Sequence, residues 1–453
     1  MAYSFPLNNP VVPALETRLA ELLHRHGGGR GRGLLSLTVA LPEGSLDNLP
    51  FGLEDHHYWS NPEEKLSLFG VGRAAQVETQ GEGRFRAMDA AFAEYRRHWE
   101  AVDADNSGMA PAALAGFSFD QNRRDPVLPN ARLTVPALLL QRRGDRCAAT
   151  FSCDRESTVE NVLASWMARW HNLEAVEPLR HLGNVGFVRG GAEPSDENWL
   201  ELARLAVGDI AAGQLDKVVL TRSTRVSGEL PFDPSAVMAA LAARHGDCYQ
   251  FSHAENGRGI FLGATPERLV TLRDGQVISE ALAGTAWDAA SLESLGDAKN
   301  LREHRLVLNA IVHALETACS FQEIPAHPAV RELRDLCHLR SVVKGTVKPG
   351  TTLLNLVERL HPTPAVGGYP ARRAQEWLTN HGETRPAWYS GATGWLGRDG
   401  DGDFAVALRC AWLAGNQADL YAGAGIVAGS DPATELAEIE AKFGVMLAAL
   451  QSS

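Results

Sequence analysis

The sequence predicts an α+β protein, and three observations carry that prediction. The chain has 453 residues, of which 45% are hydrophobic and 22% charged, a globular balance with enough length to bury a large core. Segments rich in β-branched and aliphatic residues alternate with segments of helical spacing, with no simple repeat. No apolar run approaches the roughly 18–20 residues of a membrane span. Length alone suggests two or three domains.

The strand expectations come in chain order. LLSLTVALP (34–42), LTVPALLLQRR (133–143), KVVLTRSTRV (217–226) and FAVALRCAWL (404–413) each read as one strand. Helical spacing runs through RAMDAAFAEYRRHWEAV (86–102) and DENWLELARLAVGDIAAG (196–213), the second with Ser195 or Asp196 as N-cap and Gly213 near its end. DAKNLREHRLVLNAIVHALETA (297–318) is the longest helical stretch. TELAEIEAKFGVMLAAL (434–450) is a C-terminal helix started by Asp431-Pro432. The Gly-rich, polar segment 180–196 marks the boundary between a variable portion, 1–190, and a motif-dense portion, 195–450.

Charge and cysteine usage exclude several classes of function. The net charge is −12, whereas phosphate backbones call for clustered Lys and Arg, so no nucleic-acid partner is expected. The one short basic run, HRHGGGRGRG (24–33), reads as a loop. None of the six cysteines forms a Cys-x-x-Cys pair. MAYSFPLNNP lacks the basic and apolar regions of a signal peptide. The expected compartment is a reducing cytoplasm, with no membrane association.

Chemistry gathers at a few places. GAGIVAG (423–429) has the spacing G-x-G-x-x-x-G, and 24 residues after Gly429 leave no room for a second strand with a ribose-binding acid. That sets dinucleotide binding aside. A tight turn needing positive φ and a close backbone approach to an anionic ligand both remain, and the acidic helix that follows favours the second. On that helix Glu435 and Glu438 share a face, and Glu438 and Lys442 are i and i+4. A solvated face with one ion pair accounts for this spacing, and so does a Mg²⁺ site for an anionic substrate. Lys217 opens a strand and is a candidate general base, or else a solvated strand-end lysine. Glu267 follows the Thr265-Pro266 turn of GATPERL, where a carboxylic acid could protonate a leaving group.

The ordered series KVVLTR, GATPERL, SEALAGT, LREH, HPTPAVGG, YSGATGW, FAVALR and YAGAGIVAGSDPATELAEIEAK resembles the chorismate-utilising enzymes, which include anthranilate, aminodeoxychorismate, salicylate and isochorismate synthases. HHYWSNPEEKLSLFGVGRA (56–74) and GFSFD (116–120) resemble the isochorismate synthase branch. The resemblance implies one large two-lobed α/β/α-type sandwich, with a β-sheet core and helices outside, in place of several domains. It implies Mg²⁺ held by Glu303 and Glu438 with Glu435 alongside. It implies substrate contacts from Gly284, Thr285, His338, Ala365, Tyr389, Arg409, Gly423, Gly425 and Lys442, with backbone N–H groups of Gly423 and Gly425 facing the substrate. Lys217 matches the family's base and Glu267 its acid: one activates water attacking ring C2, the other protonates the departing C4 hydroxyl. The two roles need opposite protonation states at one pH.

Ala365 separates the branches. Pyruvate-eliminating and ammonia-using members usually carry a threonine there, and alanine is typical of isochorismate synthases. The expected activity is therefore isomerisation of chorismate to isochorismate, feeding menaquinone or siderophore biosynthesis, with menaquinone preferred. A salicylate synthase and a silent chorismate-binding subunit are the alternatives. No amidotransferase subunit is expected, and a monomer is. One departure is the stretch after LAGT: AWDAASLESLGDAKN (286–300) is short and lacks the arginine that family members often carry there.

Overall fold

A computed structural model gives the structure of residues 11–26, 33–122, 125, 127–175, 186–255, 257–286, 293–332, 334 and 337–452. The signal-peptide reading of MAYSFPLNNP, most of the basic run 24–33, the first part of the 180–196 boundary and positions 287–292 of the short stretch lie outside the described residues.

Alternation along one strand shows how the layers arise. In Lys217–Gly228 and its neighbour Gln417–Val427, Val218, Leu220, Ala422, Ala424 and Ile426 point to one face and are buried against helices. Lys217, Val219, Gly423 and Gly425 share the other face, which lines a cleft. Among the described residues the strands form two sheets, of thirteen and ten strands. Pairing is antiparallel apart from Leu34–Leu41 beside Trp99–Asp103.

The sheets meet face to face. Trp59, Tyr249, Phe251 and Phe261 of the larger sheet pack on Leu114, Trp395 and Ala405 of the smaller. Each of the larger of these side chains contributes about 1.5–3 kcal/mol by leaving water. Polar bridges cross this layer as well: Asn61 Nδ2 donates to Asp403 Oδ2 at 2.9 Å, His253 Nε2 lies 2.8 Å from Thr393 Oγ1, and Arg268 Nε donates to the Tyr249 hydroxyl at 2.5 Å. Helices cover the outer faces, with Val11–His26, Val159–Ala175, Asp196–Ala211, Pro234–Arg244, Ala371–Asn380 and Pro432–Leu450 on the larger sheet. Arg84–Arg97, Ala298–Glu316 and Leu353–Leu360 cover the smaller one. The expected sandwich thus has two sheets as its middle. Strands from both parts of the chain share both sheets, since Tyr58 pairs with Ser252 and Leu114 with Trp395.

The helix starts follow their capping residues. Ser195 Oγ accepts from the Asn198 N–H, and Asp431 Oδ1 accepts from the Thr434 N–H ahead of Pro432–Leu450. Four expected elements differ. The stretch 86–102 is helical only to Arg97, because Trp99–Asp103 pairs as a strand with Leu34–Leu41 and that tertiary pairing overrides helical spacing. LTVPALLLQRR splits at Pro136, whose missing N–H suits a break, into Ala131–Val135 of one sheet and Leu138–Arg143 of the other. FAVALRCAWL is likewise two strands: Gly402–Val406 in the smaller sheet and Cys410–Ala414 in the larger. GAGIVAG is not a tight turn throughout, for Gly423–Val427 completes a strand and the turn falls at Gly429, φ 87°.

The chain makes another such passage between Gly259–Thr265 in the larger sheet and Arg268–Arg273 in the smaller. The two passages, Pro266-Glu267 and Ala407-Leu408-Arg409, are hydrogen-bonded together. The Val406 N–H donates to the Glu267 carbonyl at 2.9 Å, and the Ala264 N–H to the Arg409 carbonyl at 3.2 Å. Both open onto the same cleft.

Candidate active site

The cleft offers about 760 Å³ of space, part of it open to solvent. Its floor is the paired strands Lys217–Gly228 and Gln417–Val427. The glycines keep that floor clear: a Cβ on Gly425 would stand 2.8 Å from Lys217 Cε and 2.9 Å from Glu303 Oε1. The amides of Gly423 and Gly425 also have a defined direction. The Val219 N–H goes to the Gly367 carbonyl and the Thr221 N–H to Glu383, both away from Gln417–Val427. Their partners Gly425 and Gly423 are therefore non-hydrogen-bonded pairs, and those amides point off the opposite edge. On that edge Cys410–Ala414 pairs only with residues 417–421, and the Gly423 carbonyl accepts from Lys442 Nζ at 2.8 Å.

Lys217 is 1% exposed, and its Nζ donates to Glu303 Oε1 at 2.8 Å. Glu267 comes into the same cleft from the first passage between sheets. Burial pushes its carboxyl up to about 7, against the opposing pull of Lys217, Lys442 and Arg409. The Thr363 hydroxyl lies 3.5 Å from Glu267 Oε1. At neutral pH this acid is near half-protonated, which suits proton donation.

The second passage delivers Arg409 in the left-handed region, φ 47°, a conformation that costs about 1–3 kcal/mol in a non-glycine residue. Arg409 Nη2 donates to His338 Nε2 at 3.1 Å. His338 Nδ1 consequently carries the proton and donates to the Gly284 carbonyl, 3.2 Å away. Burial and the Arg409 and Lys442 charges push the imidazole down to about 3, so it stays neutral. Gly284, φ 78°, sits at a register shift that turns its carbonyl to this task. Thr285 pairs with His338, and its side chain lies outside what is described.

Ala365, Val366, Leu282, Leu408 and Tyr389 give the cleft its apolar wall. The wall is braced from behind by Arg385, which donates to the Val366 carbonyl at 2.6 Å and the Val219 carbonyl at 2.9 Å. Tyr389 stacks on Tyr421 at 5.5 Å. Residue-type reasoning missed Thr363, Ser390 and Arg385, because a hydroxyl or a guanidinium behind a wall has no spacing signature.

The three glutamates are each paired with a lysine. Glu303 takes Lys217, Glu438 takes Lys442 at 2.7 Å, and Glu435 takes Lys299 at 2.6 Å. Glu303 and Glu438 line the cleft, whereas Glu435 is buried beside it and also accepts from Ser430 Oγ at 2.7 Å. Burial and the nearby Glu438 charge push the Glu435 carboxyl up. Burial also raises Glu438, but Lys442, with smaller help from His338 and Lys299, more than offsets this and leaves it lowered. Among the described residues no three acidic, His or Cys side chains already converge as a metal cage. The donor chemistry nonetheless fits a hard cation: carboxylates alone, on two separate helices, facing a cleft with room for substrate oxygens and water. Lys299 was overlooked in the sequence, although it lies four residues before Glu303 on the same helix face.

The cysteines are all free, and no described helix is long and apolar enough to cross a membrane. The family description "Chorismate binding enzyme" matches residues 36–451. A salicylate biosynthesis isochorismate synthase from Pseudomonas aeruginosa is 33% identical over 87% of this chain and 84% of its own. Isochorismate synthase DhbC from Bacillus subtilis is 35% identical over 82% and 88%. The solved structure of MenF, the menaquinone-specific isochorismate synthase from Escherichia coli, superposes with a TM-score of 0.79 at 27% identity, covering 96% of this chain and 99% of that one.

Proposed function

This chain belongs to the chorismate-binding enzymes, and from that premise we propose that it is an isochorismate synthase, an isomerase that converts chorismate to isochorismate. The observation that carries the proposal is that Lys217 and Glu267, whose carboxyl is pushed up by burial, line one cleft together with the cations Arg409 and Lys442. Lys217, once neutral, takes a proton from water as its oxygen bonds to ring C2. The ring double bonds shift, the C4–O bond breaks, and Glu267 gives its proton to the departing hydroxyl. One water enters and one leaves.

Arg409, Lys442 and the outward amides of Gly423 and Gly425 supply donors for the substrate's carboxylates. His338, held neutral and singly oriented by Arg409, fixes the edge of that pocket. Glu303 and Glu438 are the residues to which we assign Mg²⁺, with Glu435 beside them. When bound, the cation would offset the negative charge of a substrate carboxylate among these glutamates. The methyl group of Ala365 leaves no hydroxyl at that point of the wall, and the named relatives quoted above are isochorismate synthases. Both features favour release of isochorismate over pyruvate elimination.

The test is incubation of the purified protein with chorismate, with and without Mg²⁺, followed by chromatography. Isochorismate without pyruvate, formed only with Mg²⁺, is the expected result. Salicylate with pyruvate would overturn the branch, and no conversion would overturn the enzyme.

A further inference from the structure

Three ammonium groups already pair with the two carboxylates assigned to the cation, Glu303 and Glu438, and with Glu435 beside them. Two of them belong to the cleft. Lys217 and Lys442 line it, and their side chains are 1% and 21% exposed. Lys299 is different. It is the second residue of Ala298–Glu316, it lies outside the cleft wall, and its side chain is 34% exposed. Its Nζ donates to the same Glu435 oxygen that accepts from Ser430. Burial disfavours its charge, but Glu435, Glu303 and Glu438 together more than offset this. These are the two glutamates assigned to Mg²⁺ and the one beside them.

We propose that Lys299 is a displaceable internal counter-ion that competes with the divalent cation for this carboxylate group. A dication brought among Glu303, Glu435 and Glu438 meets a like charge within a few ångströms, and that repulsion is strong where water is largely excluded. Lys299 stands at the solvent side, on the first turn of its helix, and can swing outward without moving Lys217 or Lys442. With Lys299 turned in, Glu435 and its neighbours stay compensated and the site keeps its shape without metal. With Lys299 turned out, the same carboxylates are released for the cation. The lysine thereby sets the Mg²⁺ concentration at which the site fills. This inference rests on the proposed Mg²⁺ site and deepens it.

The experiment is calorimetric titration of the full-length protein with Mg²⁺ alone, with no substrate present. Lys299→Met should bind Mg²⁺ about tenfold or more tightly than the unmodified protein, because one competing charge is gone. Lys299→Arg, which keeps the charge, should stay within about threefold of the unmodified protein. Thermal unfolding confirms that each variant is folded. A folded Lys299→Met protein that binds Mg²⁺ equally or more weakly overturns the inference, while leaving the Mg²⁺ site intact. Absence of Mg²⁺ binding in the unmodified protein and both variants overturns the Mg²⁺ assignment itself, and this inference with it.

Discussion

Lys217 Nζ and Glu303 Oε1, 86 positions apart in sequence, are an ion pair of 2.8 Å in a nearly closed environment. The pair joins the strand at the floor of the cleft to a helix on the smaller sheet. It also imposes an order of events, because an ammonium cannot act as a base. In the proposed mechanism the base works only as the neutral amine, so the extra proton of this pair has to leave before water is activated.

Replacing the lysine separates its two roles. Lys217→Ala should lower kcat by about 10³-fold or more, the scale of losing a positioned general base. Mg²⁺ binding, followed by calorimetry, should persist, since Glu303 and Glu438 remain. Near-native turnover in this variant would remove Lys217 from the chemistry.

Glu267 links catalysis to stability. Its carboxyl is raised from 4.5 to about 7 in the folded protein, so the fold favours the neutral acid. That contribution is complete below about pH 4.5 and is lost as pH rises through about 7, leaving a buried anion above it. Glu267→Gln removes this ionisation. Chemical denaturation should find the variant more stable than the parent at pH 8–9, by about 3 kcal/mol, with the gap closing toward pH 4.5. Turnover should be nearly abolished. A constant stability difference across this range would contradict the raised acid.

The two floor glycines should respond differently to alanine. At Gly425 the new Cβ meets side-chain atoms of Lys217 and Glu303, at 2.8 and 2.9 Å, which can shift. At Gly423 it meets the backbone carbonyl of Leu220 at 2.9 Å, which cannot shift cheaply. Gly425→Ala should lower kcat at least about tenfold with a stability loss below about 1 kcal/mol, whereas Gly423→Ala should lose about 1–3 kcal/mol. Paired denaturation and rate measurements read both, and equal stability losses would contradict the assignment.

Arg409 is the strained member of the substrate side. Arg409→Lys keeps a charge but loses the planar donor to His338. The KM for chorismate should rise about 10- to 100-fold, the worth of a charged hydrogen bond, with a smaller change in kcat. An unchanged KM would place Arg409 outside substrate binding.

A lysine opening a strand, an acid after a Thr-Pro turn and two glutamates one turn apart each have a bland reading by residue type; the resemblance set Lys217, Glu267, Glu303 and Glu438 together, and all four line one cleft. The terminal helix was legible because Asp431-Pro432 is a start signal, and Asp431 does cap it. The sheet-to-sheet passage in FAVALRCAWL was not. Its apolar run holds no glycine or proline, and the break shows only in the backbone of Arg409. Helical spacing placed Glu435 beside Glu438 but could not show that Glu435 turns toward Ser430 and Lys299, since those partners come from a turn and another helix. The tight turn expected within GAGIVAG falls only at its end, at Gly429, because Gly423–Val427 pairs as strand with Lys217–Thr221.

The two hydrogen-bonded passages between sheets have a consequence for how the core can be altered. Glu267 and Arg409 ride on the chain where it spans the inter-sheet gap, so the thickness of the tryptophan- and phenylalanine-filled layer acts as the gauge for the acid's reach. Trimming or enlarging Phe251 or Trp395 alters the acid's distance from the floor lysine, far from any contact with substrate. Core packing and the placing of Glu267 are therefore mechanically coupled, so a substitution that repacks this layer should change rate as well as stability.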